Sequence, residues 1–76
     1  MDFELTTQQK IDMLVGSKRG IKLEIFNILI RLGLDPDTFD ENDLSGFSSV
    51  MIAEKERVEA LLNSLSMIES KIASLQ

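Results

Sequence analysis

The sequence of 76 residues is 43% hydrophobic and 28% charged, contains neither Cys nor His, and carries a formal net charge of −5. A single core in so short a chain supplies only about 3 to 5 kcal/mol, and disulfides and the usual zinc ligands are excluded, which leaves oligomerisation as a further source of stability. An acidic chain with eight scattered basic residues is also a poor match for a nucleic acid or an anionic membrane surface, because clustered Lys and Arg bind such partners.

The N-terminal residues do not have the composition of a secretory signal. Residues 1–5 include Asp2 and Glu4, where a signal peptide carries basic residues, and no apolar stretch follows them. The longest apolar run, residues 25–30, is far shorter than the roughly 18 residues that a membrane span needs. We therefore expect a cytoplasmic protein that does not cross a membrane.

A first helix is predicted over residues 7–33. Thr6 and Gln9 have the spacing of a capping box, in which the two side chains bond to free backbone N–H groups of the first turn. Ile and Leu then recur at alternating intervals of three and four residues, which is typical of a helix with an apolar seam. The seam runs through Ile11, Leu14, Ile21, Ile25, Ile28 and Leu32, with Lys18 as its one charged position.

Two glycines, Gly16 and Gly20, are the weak point of this helix. Each costs about 1 kcal/mol relative to Ala in a helix interior, and Lys18 falls between them. The sequence leaves two alternatives open here, a kink or break that divides the helix and one continuous helix.

Residues 21–32 are apolar around most of the helix circumference. Glu24, Asn27 and Arg31 share one narrow polar stripe, and apolar side chains fill most of the remainder. One antiparallel helix cannot cover so wide a face. We therefore expect part of this surface to pack against another chain.

The first helix is predicted to end at Gly33, because Gly adopts the left-handed conformation that closes a helix and Pro36 prevents its continuation. An acidic connection, residues 34–47, follows. Asp35 can cap a short helical turn that begins at Pro36.

The connection is expected to be tied to the core by its apolar residues and to carry charge on its surface. Phe39, Leu44 and Phe47 should point inward. The acidic residues are expected to lie near helix N-termini and to keep the loop solvated, and the alternative is a patch that docks on a basic surface. They are Asp35, Asp37, Asp40, Glu41 and Asp43.

A second helix is predicted over residues 48–75, with Ser48 or Ser49 as its N-cap. No Gly or Pro interrupts it, and its heptad seam is broken only by Glu54. Together with Ile21, Ile25, Ile28 and Leu32 of the first helix, this seam is the predicted surface for a partner or for self-association: Val58, Leu61, Leu65, Ile68, Ile72 and Leu75.

The predicted fold is therefore all-α, a single domain of residues 1–76 forming an antiparallel helical hairpin. Such a hairpin completes its core by pairing as a coiled coil or a dimeric four-helix bundle. In this plan the chain resembles small dimeric helical-hairpin proteins, and the resemblance is one of architecture alone.

The sequence offers little for catalysis or for binding a cofactor. It lacks His, Cys, Tyr and Trp, and no Ser or carboxylate stands in a catalytic spacing. A calcium loop starting at Asp35 would place Phe39 and Gly46 where liganding oxygens belong. We expect no enzyme activity, cofactor, small-molecule substrate or metal site.

The remaining function is binding through helices. We predict a small oligomeric accessory, adaptor or inhibitor protein that binds itself, another protein, or both. One alternative is a nucleic-acid-associated regulator that uses a basic spot of Lys10, Lys18, Arg19 and Lys22. Another is a small structural subunit of a larger assembly.

Overall fold

The computed structural model describes residues 4–76; residues 1–3, part of the segment considered for a secretory signal, lie outside this range. Within it the chain forms helix α1, Thr7–Arg31, a 3-10 turn, Ser49–Met51, and helix α2, Ile52–Leu75. The two helices pack against each other. Two ion pairs join the helices, Lys18 with Glu69 and Glu24 with Arg57. The later residue of α1 pairs with the earlier residue of α2, so the helices are antiparallel. The fold is the predicted antiparallel hairpin.

Helix α1 begins at the predicted capping box. The Gln9 backbone N–H donates to Thr6 Oγ1 at 3.1 Å, and the Thr6 backbone N–H donates to Gln9 Oε1 at 2.9 Å. These two bonds satisfy N–H groups that the first helical turn leaves free.

The helix is continuous through Gly16 and Gly20, so of the two alternatives the unbroken helix is the one formed. Gly33 is the one glycine with a positive φ among residues 4–76. Packing against α2 supplies most of the helical stability in such an element, which offsets the low helix propensity of the two glycines.

The C-terminus of α1 is closed by a Schellman motif. Gly33 has φ 76°, its N–H donates to the Ile30 carbonyl at 3.1 Å, and the Leu34 N–H donates to the Leu29 carbonyl at 2.9 Å. The helix therefore ends at Arg31, two residues before the predicted boundary.

The connection is a series of hydrogen-bonded turns. The predicted helical turn is present but short, since the Thr38 and Phe39 N–H groups donate to the Asp35 and Pro36 carbonyls at 3.3 and 3.4 Å and no helix follows. Phe39 and Phe47 pack on the core as expected, and Leu34 joins them. Leu44 is half-buried.

The predicted serine cap of α2 is wrong. Ser48 lies at the start of the 3-10 turn and its side chain makes no capping hydrogen bond. Its backbone carbonyl instead accepts the Met51 N–H at 2.9 Å. The Met51 N–H, which the Ser48 hydroxyl was expected to cap, is therefore already hydrogen-bonded. Met51 is the N-cap residue of α2.

The buried core lies where α1, α2 and the connection meet. Its buried members are Ile25, Ile28, Leu29, Val58, Leu61 and Leu65. The other end of the hairpin has no third layer, so Ile11, Leu14, Ile68 and Ile72 are only half-buried. The radius of gyration is 15.0 Å, against about 11 Å for a compact domain of this length. Neither α1 nor α2 is long and apolar enough to cross a membrane.

Candidate interaction surface

The predicted seam residues pack largely inside the chain. Ile25, Ile28, Val58, Leu61 and Leu65 are buried, and the other five seam residues, Ile21, Leu32, Ile68, Ile72 and Leu75, are half-buried. Within one chain these side chains form the hairpin core. A surface with more exposed apolar area lies on the opposite side of α1.

We call this surface the outer face, and it consists of Leu23, Phe26 and Ile30. Their exposed fractions are 60%, 47% and 54%. They follow one another at intervals of three and four residues, which places them in a second stripe along α1. The heptad spacing did not identify these three residues. They do belong to residues 21–32, which the sequence showed to be apolar around most of the helix.

The outer face continues into a groove beside the helices. This side groove has a volume of about 220 Å³ and lies between α1, the connection and α2. Phe26 belongs to both surfaces, and Glu41 and Lys22 supply charge at the groove. The apolar members of the lining are Ile25, Phe26, Leu29, Pro36, Phe39, Leu62 and Leu65. Phe26 therefore joins two apolar areas into one continuous surface.

The five residues of the predicted acidic patch are all exposed. Three of them have a local structural role, because Asp35, Asp40 and Asp43 each accept a backbone N–H from the residue two positions later, at 2.9 to 3.0 Å. Such Asx turns are favoured by Asp in loops. Within residues 4–76, the Asp37 and Glu41 carboxylates make no hydrogen bond or ion pair that would hold them.

Asp43 has a pKa below the ordinary value of an aspartate. The Ser45 hydroxyl, and after it the Ser45 backbone N–H, stabilise the charged carboxylate and lower the pKa. The backbone N–H donates to Asp43 Oδ1 at 3.0 Å. The charged form of Asp43 thus stabilises the turn that leads towards α2.

The predicted basic spot is not a single free cluster. The Lys18 ammonium lies 4.0 Å from a Glu69 carboxylate oxygen, and Lys10 lies two helical turns before it. Arg19 and Lys22 are exposed, and Arg19 precedes Leu23 by four residues. Arg19 therefore extends the stripe of the outer face towards the N-terminus of α1.

Four other large apolar side chains are exposed outside the outer face. They are Met13, Val50, Ile52 and Met67. Met67, exposed by 73%, has only polar residues at the adjacent helical positions Asn63, Ser64, Ser70 and Lys71. Scattered exposed residues of this kind are normal in monomeric proteins, so Met67 is a suitable control position.

The chain exposes more surface than its mass requires. Its accessible area is 5635 Å², whereas a folded monomer of 8.5 kDa exposes about 4,700 Å². The excess of about 1,000 Å² belongs to the elongated chain as a whole and is of the same order as the roughly 800 Å² that each partner buries in a standard protein–protein interface.

Among residues 4–76, no three His, Cys, Asp or Glu side chains lie close enough to hold a metal ion. The sequence matches no protein-family model, and no curated protein or solved structure is significantly similar to it.

Proposed function

We propose that this protein is a non-enzymatic protein–protein interaction module, a small cytoplasmic accessory or adaptor protein that acts through packing of its helices. The observation that carries the proposal is the exposure of Leu23, Phe26 and Ile30 on the side of α1 that faces away from α2. Three large apolar side chains at adjacent helical positions are typical of a helix that packs on two sides.

The composition of this surface fits a binding site between proteins. An aromatic side chain, Phe26, lies at its centre and is flanked by branched aliphatic residues. Aromatic residues at the centre of an apolar patch often supply most of the binding energy. Arg19, Lys22 and Arg31 around it provide a polar rim.

Site-specific photocrosslinking tests the proposal. A photoreactive phenylalanine analogue is incorporated at position 26 or, as the control, at position 67, and the host cells are irradiated. We expect a discrete crosslinked species from position 26, composed of two copies of the chain or of the chain and one other protein. We also expect Leu23→Glu to abolish it.

If position 26 yields no discrete species, or yields the same species as position 67, the outer face is not an interaction surface. Far-UV circular dichroism of each labelled chain verifies that both substituted proteins remain helical.

A further inference from the structure

We infer that the partner of the outer face is a second copy of this chain, packed with its α1 antiparallel to the first around a two-fold axis near Phe26. The inference rests on the proposed function and names its partner. Three properties of the described residues support it: the area of unpaired surface, the self-complementary shape of the outer face, and the distribution of charge along α1 and the connection.

The area is sufficient for a dimer. The elongated chain as a whole exposes about 1,000 Å² more than a compact monomer of its mass. An interface that buries roughly 800 Å² per partner therefore takes in the outer face together with the side groove beside it. A two-fold interface uses the same patch on both copies. The outer face meets this condition, because Leu23 and Ile30 lie on either side of Phe26, at distances of three and four residues.

In an antiparallel pair, Leu23 of each copy lies near Ile30 of the other. The two Phe26 side chains then meet at the axis, where the side groove beside Leu29 and Phe39 can accommodate the rings. Both chains thus bury the exposed side chains of their outer faces in one shared layer, and the four helices lie side by side in the order α2, α1, α1 and α2.

Charge decides between antiparallel and parallel packing. Arg19 precedes Phe26 by seven residues, or about 10.5 Å along the helix, whereas Arg31 follows it by five residues, or about 7.5 Å. In the antiparallel pair, Arg19 of one copy therefore lies about 3 Å beyond the end of the other copy's α1. The acidic connection begins at that point, with Asp35 and Asp37 exposed.

A parallel pair would bring like charges together. Arg19 would face Arg19, Lys22 would face Lys22, and one acidic connection would lie beside the other. Juxtaposed like charges across an interface are unfavourable and select against an arrangement. The antiparallel pair instead places a cation of each chain beside carboxylates of the other.

Single-cysteine crosslinking distinguishes the arrangements, because the natural chain contains no Cys. Asn27→Cys lies next to the axis, so the two cysteines of an antiparallel dimer are separated by little more than the helix spacing of about 8–10 Å. Gly16→Cys lies ten residues from Phe26, so its two copies are about 30 Å apart. A side chain at Gly16 meets no neighbouring atom within 4 Å in the chain.

With a short bis-maleimide reagent, we expect a crosslinked dimer from Asn27→Cys and none from Gly16→Cys. Crosslinking of both variants would indicate parallel helices, and crosslinking of Gly16→Cys alone would indicate another register. Crosslinking of neither would exclude a second copy packed around an axis near Phe26. Each of these results overturns the inference. If neither variant reacts while position 26 photocrosslinks to another protein, the proposed function stands and this inference fails.

A charge exchange tests the predicted contact between Arg19 and the connection. Asp37→Lys and Arg19→Glu should each raise the dimer dissociation constant about threefold to tenfold, and the double variant should restore it to near the wild-type value. Asp37 is chosen because Asp35, unlike Asp37, accepts a hydrogen bond that organises the turn. Additive weakening in the double variant would contradict the antiparallel register.

Discussion

The Arg57 guanidinium donates a hydrogen bond of 2.7 Å to the Glu24 carboxylate, joining α2 to α1 across the hairpin. Glu24 lies on the polar stripe of α1, and the bond links residues 33 positions apart in the sequence. Together with the longer Lys18–Glu69 pair of 4.0 Å, it favours one antiparallel register of the two helices.

A double-mutant cycle of Glu24→Ala and Arg57→Ala should give a coupling energy of about 0.2–1 kcal/mol, the range of exposed ion pairs. Both side chains are about half exposed, so the coupling should decrease as the salt concentration rises. Urea unfolding measures it. The same cycle on the longer Lys18–Glu69 pair should give a smaller coupling energy. A larger coupling energy for Lys18–Glu69 than for Glu24–Arg57 would contradict the two distances.

Two leucines of α1 should respond differently to truncation. Leu29 is 2% exposed and lies in the core, so Leu29→Ala should cost about 2–5 kcal/mol. Because a single chain is stabilised by only about 3 to 5 kcal/mol, this variant should be substantially unfolded at concentrations where the wild-type chain is a monomer.

Leu23→Ala is the matched substitution on the outer face. It should change the stability of the monomer by less than about 0.5 kcal/mol and lower the melting temperature only at concentrations where the wild-type chain is associated. Thermal melts over a concentration series separate the two effects. Equal destabilisation by the two substitutions would mean that Leu23 belongs to the core of a single chain.

Gly33 and Gly16 should also differ in their response to alanine. Gly33 has φ 76°, a conformation that costs a residue with a Cβ about 1–2 kcal/mol, so Gly33→Ala should lower the free energy of unfolding. Gly16 lies inside α1, where Ala should raise that energy by about 0.5–1 kcal/mol. Chemical denaturation provides both values, and stabilisation by Gly33→Ala would refute the Schellman closure.

The stability of the connection should depend on pH through Asp43. Its folded-state pKa is lowered chiefly by Ser45, so the charged carboxylate stabilises the fold above the pKa of an aspartate in the unfolded chain. This contribution is lost as the pH falls through the lowered pKa. NMR titration of the side-chain carboxyl carbon measures the value directly. Ser45→Ala should raise the pKa towards the ordinary one; an unchanged pKa would remove Ser45 as the cause.

The parts of the fold that could be predicted from the sequence are those with local causes. The capping box at Thr6 and the glycine closure at Gly33 depend on residues within one or two turns, and both formed. The serine cap at Ser48 failed because a backbone carbonyl bonded to the donor that its hydroxyl was expected to cap. No local pattern decided whether the helix continues through Gly16 and Gly20, and this stretch contacts α2, which lies far away in the sequence, through the Lys18–Glu69 pair.

The candidate interaction surface could be predicted only in part. The wide apolar face of residues 21–32 indicated that α1 packs on more than one side. Heptad spacing predicted a seam through Ile21, Ile25 and Ile28 for a partner or for self-association. Within one chain, Ile25 and Ile28 are buried and Ile21 packs against them. Which stripe faces outward depends on the side of α1 that packs against α2 and the connection, and no local pattern determines that arrangement.

Sedimentation equilibrium tests the central claim, that the outer face of α1 is an interaction surface for a second copy, most directly. Over micromolar concentrations the wild-type chain should have twice the 8.5 kDa mass of one copy. Leu23→Glu should reduce the mass to that of one copy, and Met67→Glu, which places the same charge on α2 away from the outer face, should leave it doubled. A wild-type chain that remains a folded monomer throughout, or a dimer that Leu23→Glu leaves intact, would contradict the claim.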